Sequence, residues 1–411
     1  MEPKIRLKGF SGKWEEKKFD SLAKIRRGLT YSPSNITVKG VRVLRSSNIN
    51  EDTFVTSEDD VFVEETCVNI PLANDGDILI TAANGSPRLV GKHAVVETKG
   101  STMVPGGFMI LAMTDEPYFL NTCMSSPWYK TFLKTGVAGG NGAIGNLNKT
   151  ALVDSVFFIP SSKAERDLLA SYFQHLDILI QSTTKKIESL KQVKAASLQS
   201  MFPQEGETTP RVRFKGFEGE WIKIKFAAFA EINRGLTYTP NNIVENGVRV
   251  LRSSNIDEDV FTISNEDVFV TPNCVNICYA KDGDILVTAA NGSPRLVGKH
   301  AIIRNTGSIP VVAGGFMYLV TSQESEFLNA SMSSNWYWSF IKIGVAGGNG
   351  SIGNLNRNDL EETVFPIPSL KEERDMIASY FTSLDSQITL QTQHLEKLKQ
   401  IKSACLDNMF V

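Results

Sequence analysis

The feature that most constrains this chain is an internal duplication. The segment VRVLRSSNI at 41–49 occurs again, unchanged, at 248–256. The segment TAANGSPRLVGKHA at 81–94 also occurs again unchanged, at 288–301, and few residues in either half lack a counterpart in the other. Because a unit of about 200 residues is far longer than a solenoid repeat, the sequence predicts two copies of one globular domain. Two similar domains favour a ligand that itself has twofold symmetry.

Each half changes its character once along the chain. Its first part places Gly, Asn and Ser residues between short runs of β-prone residues, which predicts a sheet-containing globule. The segments 161–202 and 369–410 contain no proline or glycine, and their apolar residues follow a seven-residue pattern that is typical of long paired helices. We therefore divide the chain into a globular domain, a long helix, a linker, a second globular domain and a second long helix, at 1–160, 161–202, 203–210, 211–368 and 369–411.

The apolar positions of the two long helices form a predicted coiled-coil seam. Its members are Phe173, Leu176, Ile180, Ile187, Leu190, Phe381, Leu384, Ile388, Leu395 and Leu398. Four polar residues interrupt this seam, which costs stability but can fix the register of a helix pair; they are Thr183, Lys194, Gln391 and Lys402. Antiparallel pairing would place the globular domains at opposite ends, related by a pseudo-twofold axis, whereas parallel pairing would place both at one end. A third alternative is that each helix packs only on its own globule.

Composition and charge exclude several classes of protein. The chain is 42% hydrophobic and 21% charged, as in ordinary globular proteins. It has no apolar stretch of about 20 residues and no apolar core near its start, so we expect a cytoplasmic protein without a membrane partner. None of the five cysteines stands in a C-x-x-C pair, which argues against a metal site. The formal net charge of -2 means that any surface for nucleic acid must be local or completed by a partner.

The motifs that could carry catalysis are incomplete. The segment GSPRLVGKH at 85–93 has five residues between its glycines where a phosphate-binding loop has four, and His93 stands where Ser or Thr would hold magnesium. The segment SPWY at 126–129 is faintly similar to the catalytic loop of adenine methyltransferases, but its copy is SNWY at 334–337. The histidines show no metal-ligand spacing. We therefore expect a non-catalytic chain without a metal or cofactor of its own.

Four loops in each half carry residue types that suit contacts with DNA. Arg, Ser, Thr and Asn side chains can donate to phosphates or base edges, and glycines permit close approach of the backbone. Arg45 and Arg252 follow predicted strands and could pair with guanine bidentately. We name the loops A (28–35 and 235–242), B (44–48 and 251–255), C (82–88 and 289–295) and D (136–142 and 344–350). A loop rich in Gly and Asn can also be only a turn, and this alternative stays open for each loop.

The candidate DNA-binding residues come from these loops and their neighbours. In the first half they are Arg27, Thr30, Tyr31, Ser32, Arg45, Ser46, Ser47, Asn48, Asn84, Ser86, Arg88, Lys92, Gly139, Gly140 and Asn141. In the second half they are Arg234, Thr237, Tyr238, Thr239, Arg252, Ser253, Ser254, Asn255, Asn291, Ser293, Arg295, Lys299, Gly347, Gly348 and Asn349.

Several further motifs resemble the specificity subunits of type I restriction-modification systems. Both halves begin with a related segment, PKIRLKGFSGKW at 3–14 and PRVRFKGFEGEW at 210–221. Both also contain a GNLN turn before an IP dipeptide and a helix with the pattern SYFxxLD, and the first half contains GDILITAANG and the exit MFPQEG. The resemblance extends over nearly the whole chain, once in each half.

The resemblance implies a fold, a function and partners. The expected fold is mixed α+β, with two sheet-containing target recognition domains related by pseudo-twofold symmetry and separated by two long helices that form an antiparallel coiled coil. Each recognition domain would bind one half of a split site in double-stranded DNA, and the helices would set the spacing. Two modification subunits would dock on the helices and supply the S-adenosylmethionine chemistry, and the assembly can recruit two restriction subunits.

The near identity of the two halves departs from the usual family pattern. In that family the two recognition domains commonly differ and the DNA site is asymmetric, whereas here VRVLRSSNI and TAANGSPRLVGKHA are the same in both. We therefore predict a palindromic bipartite site with an undefined spacer. The alternatives are a stand-alone tandem-repeat protein that binds DNA or another ligand, and a self-contained DNA adenine methyltransferase.

Overall fold

A computed structural model describes residues 1–138, 144–346 and 353–411. The chain divides into two compact units. Unit 1 consists of Met1–Thr184 and His394–Val411, and unit 2 consists of Lys185–Gln393. The helices are α1 Pro117–Met124, α2 Pro127–Gly136, α3 Lys149–Asp154, α4 Lys163–Met201, α5 Phe226–Phe229, α6 Ser325–Met332, α7 Asn335–Gly344, α8 Arg357–Glu362 and α9 Lys371–Met409. Each unit therefore contains one globule, the start of one long helix and the end of the other.

The globule of unit 1 is built from short strands. They are β1 Glu15–Lys18, β2 Lys24–Arg27, β3 Ile36–Thr37, β4 Val41–Leu44, β5 Ile49–Asn50, β6 Thr53–Phe54, β7 Val61–Val63, β8 Ile78–Thr81, β9 Ala83–Asn84, β10 His93–Val95, β11 Met103–Pro105, β12 Met109–Met113, β13 Val137–Ala138, β14 Gly145–Leu147 and β15 Val156–Ile159. One four-stranded sheet has the order β10-β8-β12-β2 and is antiparallel. A second has the order β11-β4-β7-β3, in which β11 and β4 are parallel. Smaller sheets are β13-β14-β9, β5-β6 and β1-β15.

Unit 2 repeats this arrangement strand for strand. Its strands are β16 Ile222–Lys225, β17 Glu231–Arg234, β18 Ile243–Val244, β19 Val248–Leu251, β20 Ile256–Asp257, β21 Val260–Phe261, β22 Val268–Val270, β23 Ile285–Thr288, β24 Ala290–Asn291, β25 His300–Ile302, β26 Val311–Ala313, β27 Met317–Thr321, β28 Val345–Ala346, β29 Gly353–Leu355 and β30 Val364–Ile367. The larger sheets have the orders β17-β27-β23-β25 and β18-β22-β19-β26, and β19 pairs in parallel with β26.

The central strand β23 shows why such strands are apolar throughout. Successive side chains of a strand point to opposite faces of its sheet. Ile285 and Val287 pack into the cluster that contains Phe327, whereas Leu286 packs with Leu251 in a different cluster. Because both faces are covered, the sequence has a continuous apolar run instead of an alternating pattern.

The two long helices pack together within each unit, and they do so in an antiparallel sense. In unit 1, Asp177 of α4 forms an ion pair with Lys402 of α9, with 2.7 Å between the carboxylate oxygen and the ammonium nitrogen. Five residues earlier, the Tyr172 hydroxyl lies 3.4 Å from the sulfur of Cys405, further along α9. In unit 2, contacts from Lys194 to Asp385 (2.7 Å) and from Ser197 to Tyr380 (2.9 Å) likewise run in opposite directions. The predicted mixed α+β fold class with paired long helices is confirmed.

The predicted seam residues lie on the packed sides of these helices. All of them are buried except Leu190 and Ile388, which are half-buried. The helix ends are fixed by aromatic contacts, since the Phe410 ring lies 5.9 Å from that of Trp14 and 5.8 Å from that of Phe173. The tryptophans of the KGFSGKW and KGFEGEW motifs therefore belong to the hydrophobic cores.

The two lysines that interrupt the seam form ion-pair clusters with the globules. In unit 1, Lys402 pairs with Asp177 of α4 and with Asp52 in the turn between β5 and β6, the second pair at 2.9 Å. Burial opposes the charge of Lys402, but the two carboxylates outweigh burial and raise its pKa. In unit 2, Lys194 lies 2.7 Å from Asp385 and 3.9 Å from Asp259. Each lysine thus attaches a turn of the globule to the helix pair of its own unit.

The observed long helices begin at Lys163 and Lys371, two residues after the predicted starts. The residues before them are SS and SL, which lead into the first turns. Among the described residues, no helix is both long and apolar enough to cross a membrane. The proposed boundaries between globular domains, helices and linker stay predictions.

Candidate nucleic-acid interface

A glycine-rich turn connects β11 to β12 and organises the loops around it in unit 1. We name residues 106–108 the GGF turn of this unit. The Leu29 amide of loop A donates to the carbonyl oxygen of Pro105 (2.7 Å), and the Gly106 amide donates to that of Leu44 in loop B (2.8 Å). Loops A and B are therefore held to the turn by main-chain hydrogen bonds, which do not depend on the identity of any side chain.

Loop C is attached to the same turn. The amides of Ala82 and Ala83 both donate to the carbonyl oxygen of Phe108, at 2.8 and 3.0 Å. The ring of Phe108 is not used in this contact and is 66% exposed. The three loops A, B and C of unit 1 thus converge on one fixed turn.

The GGF turn of unit 2, residues 314–316, makes the same bonds. Leu236 donates to Ala313 (2.7 Å), and Gly314 donates to Leu251 (2.8 Å). The carbonyl oxygen of Phe316 accepts from two successive amides of loop C, at 2.9 and 3.0 Å. The convergence of the loops is therefore a property of the domain, present in both copies.

The first glycine of loop A is required for this close approach. A Cβ atom on Gly28 would lie 1.9 Å from the carbonyl oxygen of Gly106, and one on Gly235 would lie 1.8 Å from that of Gly314. Both contacts are with backbone, which cannot move aside without breaking the bonds between the loops and the turn. Any other residue at these positions would separate loop A from the GGF turn.

The convergence produces a groove in unit 2 with a volume of about 640 Å³. The groove is lined by loops A, B and C and by the GGF turn, through Leu236, Thr237, Tyr238, Pro240, Ile243, Arg252, Ser253, Ala290, Asn291, Gly292, Gly314, Gly315, Phe316 and Met317. The structure thus brings together candidates from three loops that are distant in sequence. Arg234, Thr239, Arg295 and Lys299 do not line this groove.

One candidate DNA-binding residue in each half has a buried side chain that stabilises its loop instead of facing solvent. The side chain of Asn48 is buried, and its carbonyl oxygen accepts from the Arg45 amide at 2.8 Å. Its amide group donates to Val55 (3.0 Å) and to the Asp60 carboxylate (2.9 Å). Asn255 is buried in the same way. We therefore remove Asn48 and Asn255 from the surface that faces a ligand, because every polar group of these side chains already has a partner in the fold.

The network behind Asn48 extends to the ion pair of Arg42 with Asp60. Asp60 also accepts from the Ser57 amide at 2.9 Å and pairs with the guanidinium of Arg42. The Arg42 guanidinium lies over the ring of Phe62, 4.7 Å from its centroid. These contacts hold the end of β4 in place and so fix the direction in which Arg45 leaves the strand.

Asn84 connects loop C to loop B. Its amide group donates to the Ser46 hydroxyl at 3.1 Å, and its carbonyl oxygen accepts from the Ser86 amide at 2.9 Å. Asn291 makes the same two bonds in unit 2, to Ser253 at 3.1 Å and from Ser293 at 2.9 Å. These residues therefore fix the relative positions of the loops.

Most of the other candidates present their side chains to solvent. The exposed ones are Arg27, Thr30, Ser32, Arg45, Ser47, Ser86, Arg88, Arg234, Thr237, Thr239, Arg252, Ser254, Ser293 and Arg295. The half-buried ones are Tyr31, Ser46, Asn84, Lys92, Tyr238, Ser253, Asn291 and Lys299. Gly139, Gly140, Asn141, Gly347, Gly348 and Asn349 of loop D lie outside the described residues. The strands that flank loop D join the sheet of loop C, since β14 pairs with both β13 and β9.

Sequence reasoning missed two features of this surface. The GGF turns were not among the candidates, although the triplet GGF occurs in both halves. The second is Lys149, at the start of α3. Its burial lowers its pKa, and the nearby charge of Arg27 lowers it further. Two cations close together favour an anion such as a phosphate, although the counterpart of Lys149 in unit 2, Arg357, pairs with Glu361 (2.7 Å).

The chain is similar in sequence to proteins described as type I specificity subunits. Residues 218–400 match the family model described as the type I restriction modification DNA specificity domain. Over 408 residues the chain is 22% identical to the type I restriction enzyme StySPI specificity subunit of Salmonella potsdam, covering 94% of this chain and 87% of that protein. Over 352 residues it is 21% identical to the MjaVIII specificity subunit of Methanocaldococcus jannaschii, covering 82% of this chain and 78% of that protein.

A solved structure of an S subunit has a fold similar to that of this chain. The crystal structure of the S subunit of a type I restriction-modification system from M. genitalium matches with a TM-score of 0.69 and 14% identity, covering 100% of this chain and 99% of that chain. Two sheet-containing units that share a pair of long helices thus form a fold that is also seen in an S subunit. The match of residues 218–400 to the specificity-domain family and the nearly full-length relatives confirm the similarity to type I specificity subunits that the sequence motifs predicted.

Proposed function

We propose that this chain supplies DNA sequence recognition to a multi-subunit type I restriction-modification complex. Each unit binds one half of a bipartite site in double-stranded DNA. The observation that carries this proposal is the convergence of loops A, B and C on the GGF turn, which in unit 2 places the exposed side chains of Arg252 and Thr237 on one groove. Arginine is the side chain that most often recognises guanine in the major groove, and threonine can bond to several bases there.

The site that we propose is palindromic. The residues that line the groove of unit 2 belong to segments that are identical or closely similar in unit 1, and the main-chain bonds behind them are the same. Equal surfaces favour equal half-sites. Inside each unit the two long helices pair in an antiparallel sense, and such pairing favours inverted half-sites. We propose that the length of the helices sets the length of the spacer.

Catalysis belongs to partner subunits in this proposal. Two modification subunits dock on the long helices and carry S-adenosylmethionine, and two restriction subunits can join the assembly. The formal charge of -2 on this chain supports such a division, because partners would then supply further contacts to phosphates. Methyl transfer to DNA by the purified chain alone would contradict a non-catalytic role.

Methylome sequencing of a host that carries the complete system tests the palindrome. We expect methylated adenines in two equal, inverted half-sites separated by a spacer of fixed length and variable sequence. Selection of bound DNA from a random pool by the assembled complex should return the same site. Two unrelated half-sites, or a direct repeat, would contradict the proposal.

Replacing Arg45 and Arg252 together with alanine should relax sequence preference. If each arginine pairs with a base, discrimination at one base pair in each half-site should fall by about 1–3 kcal/mol. The measurement is a competition binding assay of the assembled complex against sites with single base changes. Lys99→Ala, at an exposed lysine outside the four loops, is the control and should keep the preference. Equal weakening on all sequences would instead assign the arginines to phosphates.

A further inference from the structure

The aromatic rings of the two GGF turns are exposed at equivalent positions. Phe108 is 66% exposed and Phe316 is 67% exposed, whereas the methionines that follow them are both 1% exposed. A single exposed apolar side chain needs no explanation on its own. These two stand out because both copies of the domain keep the ring in solvent at the point where three loops meet.

The backbone beneath each ring is fixed. The Phe108 carbonyl oxygen accepts two hydrogen bonds from loop C, and Gly106 is bonded to the end of β4. The turn cannot fold its ring into the core without breaking these bonds. The ring is therefore held outward by the same contacts that assemble loops A, B and C.

In unit 2 the ring belongs to a groove whose lining is mainly apolar but also carries several polar side chains. Phe316 lines the groove together with Thr237, Arg252, Ser253 and Asn291. The exposed side chains of Thr237 and Arg252 can donate to the acceptors on base edges, whereas the phenyl ring has no hydrogen-bonding group and is matched best, along a base edge, by an apolar group. The apolar group that a base edge presents in the major groove of DNA is the 5-methyl group of thymine.

A second use of such a ring is to unstack base pairs. Proteins that do so insert a protruding apolar side chain between two base steps. Phe316 lines a concave groove beside side chains from three loops, which suits contact with base edges better than insertion. The groove geometry therefore favours contact with a methyl group.

We propose that Phe108 and Phe316 each contact the 5-methyl group of a thymine in the half-site that their own unit binds. This inference rests on the proposed function and adds a specificity-determining residue to each unit. It requires at least one thymine in each half-site. It also requires that the methyl group, and not the thymine base as a whole, contributes to binding.

The test is a substitution of deoxyuridine for thymine, which removes only the methyl group. The assembled complex is titrated with duplexes that carry its bipartite site, in which each thymine is replaced in turn. For one thymine in each half-site, binding should weaken about fourfold, the value for one buried carbon. The double variant Phe108→Ala with Phe316→Ala should bind the thymine duplex more weakly and should not respond to the replacement.

Matched controls separate the ring from other effects. Phe108→Ala alone should abolish the response in one half-site and leave it in the other. Val156→Ala with Val364→Ala changes exposed side chains at equivalent positions of β15 and β30, outside the groove, and should keep both responses.

The outcomes distinguish this inference from the proposed function. A wild-type complex that prefers a bipartite site but binds thymine and deoxyuridine equally at every position overturns the inference and leaves the proposed function in place. An unchanged response in the double variant, or a half-site without thymine, also overturns it. Loss of binding to all sequences in the variant, with loss of DNA bending measured by energy transfer, would show insertion instead. No preference for any bipartite site would contradict the proposed function itself.

Discussion

Replacing Lys402 with alanine is expected to lower the free energy of unfolding of unit 1 by about 1.5–3 kcal/mol, the range for hydrogen bonds to charged groups. The substitution leaves the carboxylates of Asp52 and Asp177 without the cation that lies 2.9 and 2.7 Å from them. Removing one member of this half-buried charge cluster costs more than the net value of the cluster, because the remaining charges keep much of their desolvation cost. The measurement is chemical denaturation followed by circular dichroism, with hydrogen exchange at the β5–β6 turn as a local readout.

Lys399 provides the matched control for this substitution. It lies on the same helix and pairs with Glu51 of the same turn at 3.3 Å, but both side chains are largely exposed. Lys399→Ala should therefore cost at most about 1 kcal/mol. In unit 2, Lys194→Ala should repeat the large loss and Lys191→Ala the small one. If the two lysines of a unit gave equal losses, the clusters would not hold the globules to the helices.

A fragment of residues 1–206 is expected to form a homodimer. In unit 1 the segment 394–411 covers the core, and its Phe410 contacts Trp14 and Phe173. The fragment lacks this segment but contains its counterpart at the end of α4. In unit 2 that counterpart makes the equivalent contacts, from Phe202 to Trp221 (5.8 Å) and Phe381 (5.9 Å).

The fragment cannot satisfy these contacts within one copy. Phe173 lies in the first third of α4 and Phe202 directly follows its last residue, so they are about 43 Å apart along a helix with a rise of 1.5 Å per residue. The end of α4 must therefore pack on a second copy of the fragment. Analytical ultracentrifugation should show a dimer, and the melting temperature should rise with concentration.

Two further samples test the fragment prediction. Phe202→Ala in the fragment should shift it toward monomer, because the substitution removes the contact at the helix end. A peptide of residues 385–411 should compete and produce a complex of one fragment with one peptide. A cooperatively folded monomer at all concentrations would contradict the exchange of helix ends.

The fold was largely predictable because its main signals are regular. Because the two halves have nearly the same sequence, both were expected to adopt the same fold. The seven-residue pattern around Phe173 and Phe381 predicted paired helices, and the structure has them at Lys163–Met201 and Lys371–Met409. Periodicity did not decide between antiparallel, parallel and separate helices. That choice depends on contacts such as Lys194 with Asp385, which join residues far apart in sequence.

The site was predictable only in part. Loops A, B and C were found because their residue types suit DNA, but residue type does not tell whether a side chain faces solvent. Asn48 has the composition of a DNA-binding residue, yet bonds to Val55 and Asp60 bury it. Phe108 has the opposite character, since an aromatic residue after two glycines suggests a core residue. Its exposure follows from main-chain bonds to loop C, which no sequence pattern reports.

The way in which the GGF turn holds the loops has a consequence for how such a protein can acquire new targets. The bonds from Leu29, Gly106 and Ala82 use only peptide groups, so they survive almost any exchange of the side chains that project from the loops. Arg45 and Phe108 can therefore be varied without loss of the backbone frame beneath them, provided that Gly28 is kept. Libraries with randomised residues at the groove should yield folded domains at high frequency, and because the gene carries the domain twice, one copy can be changed while the other preserves the original half-site.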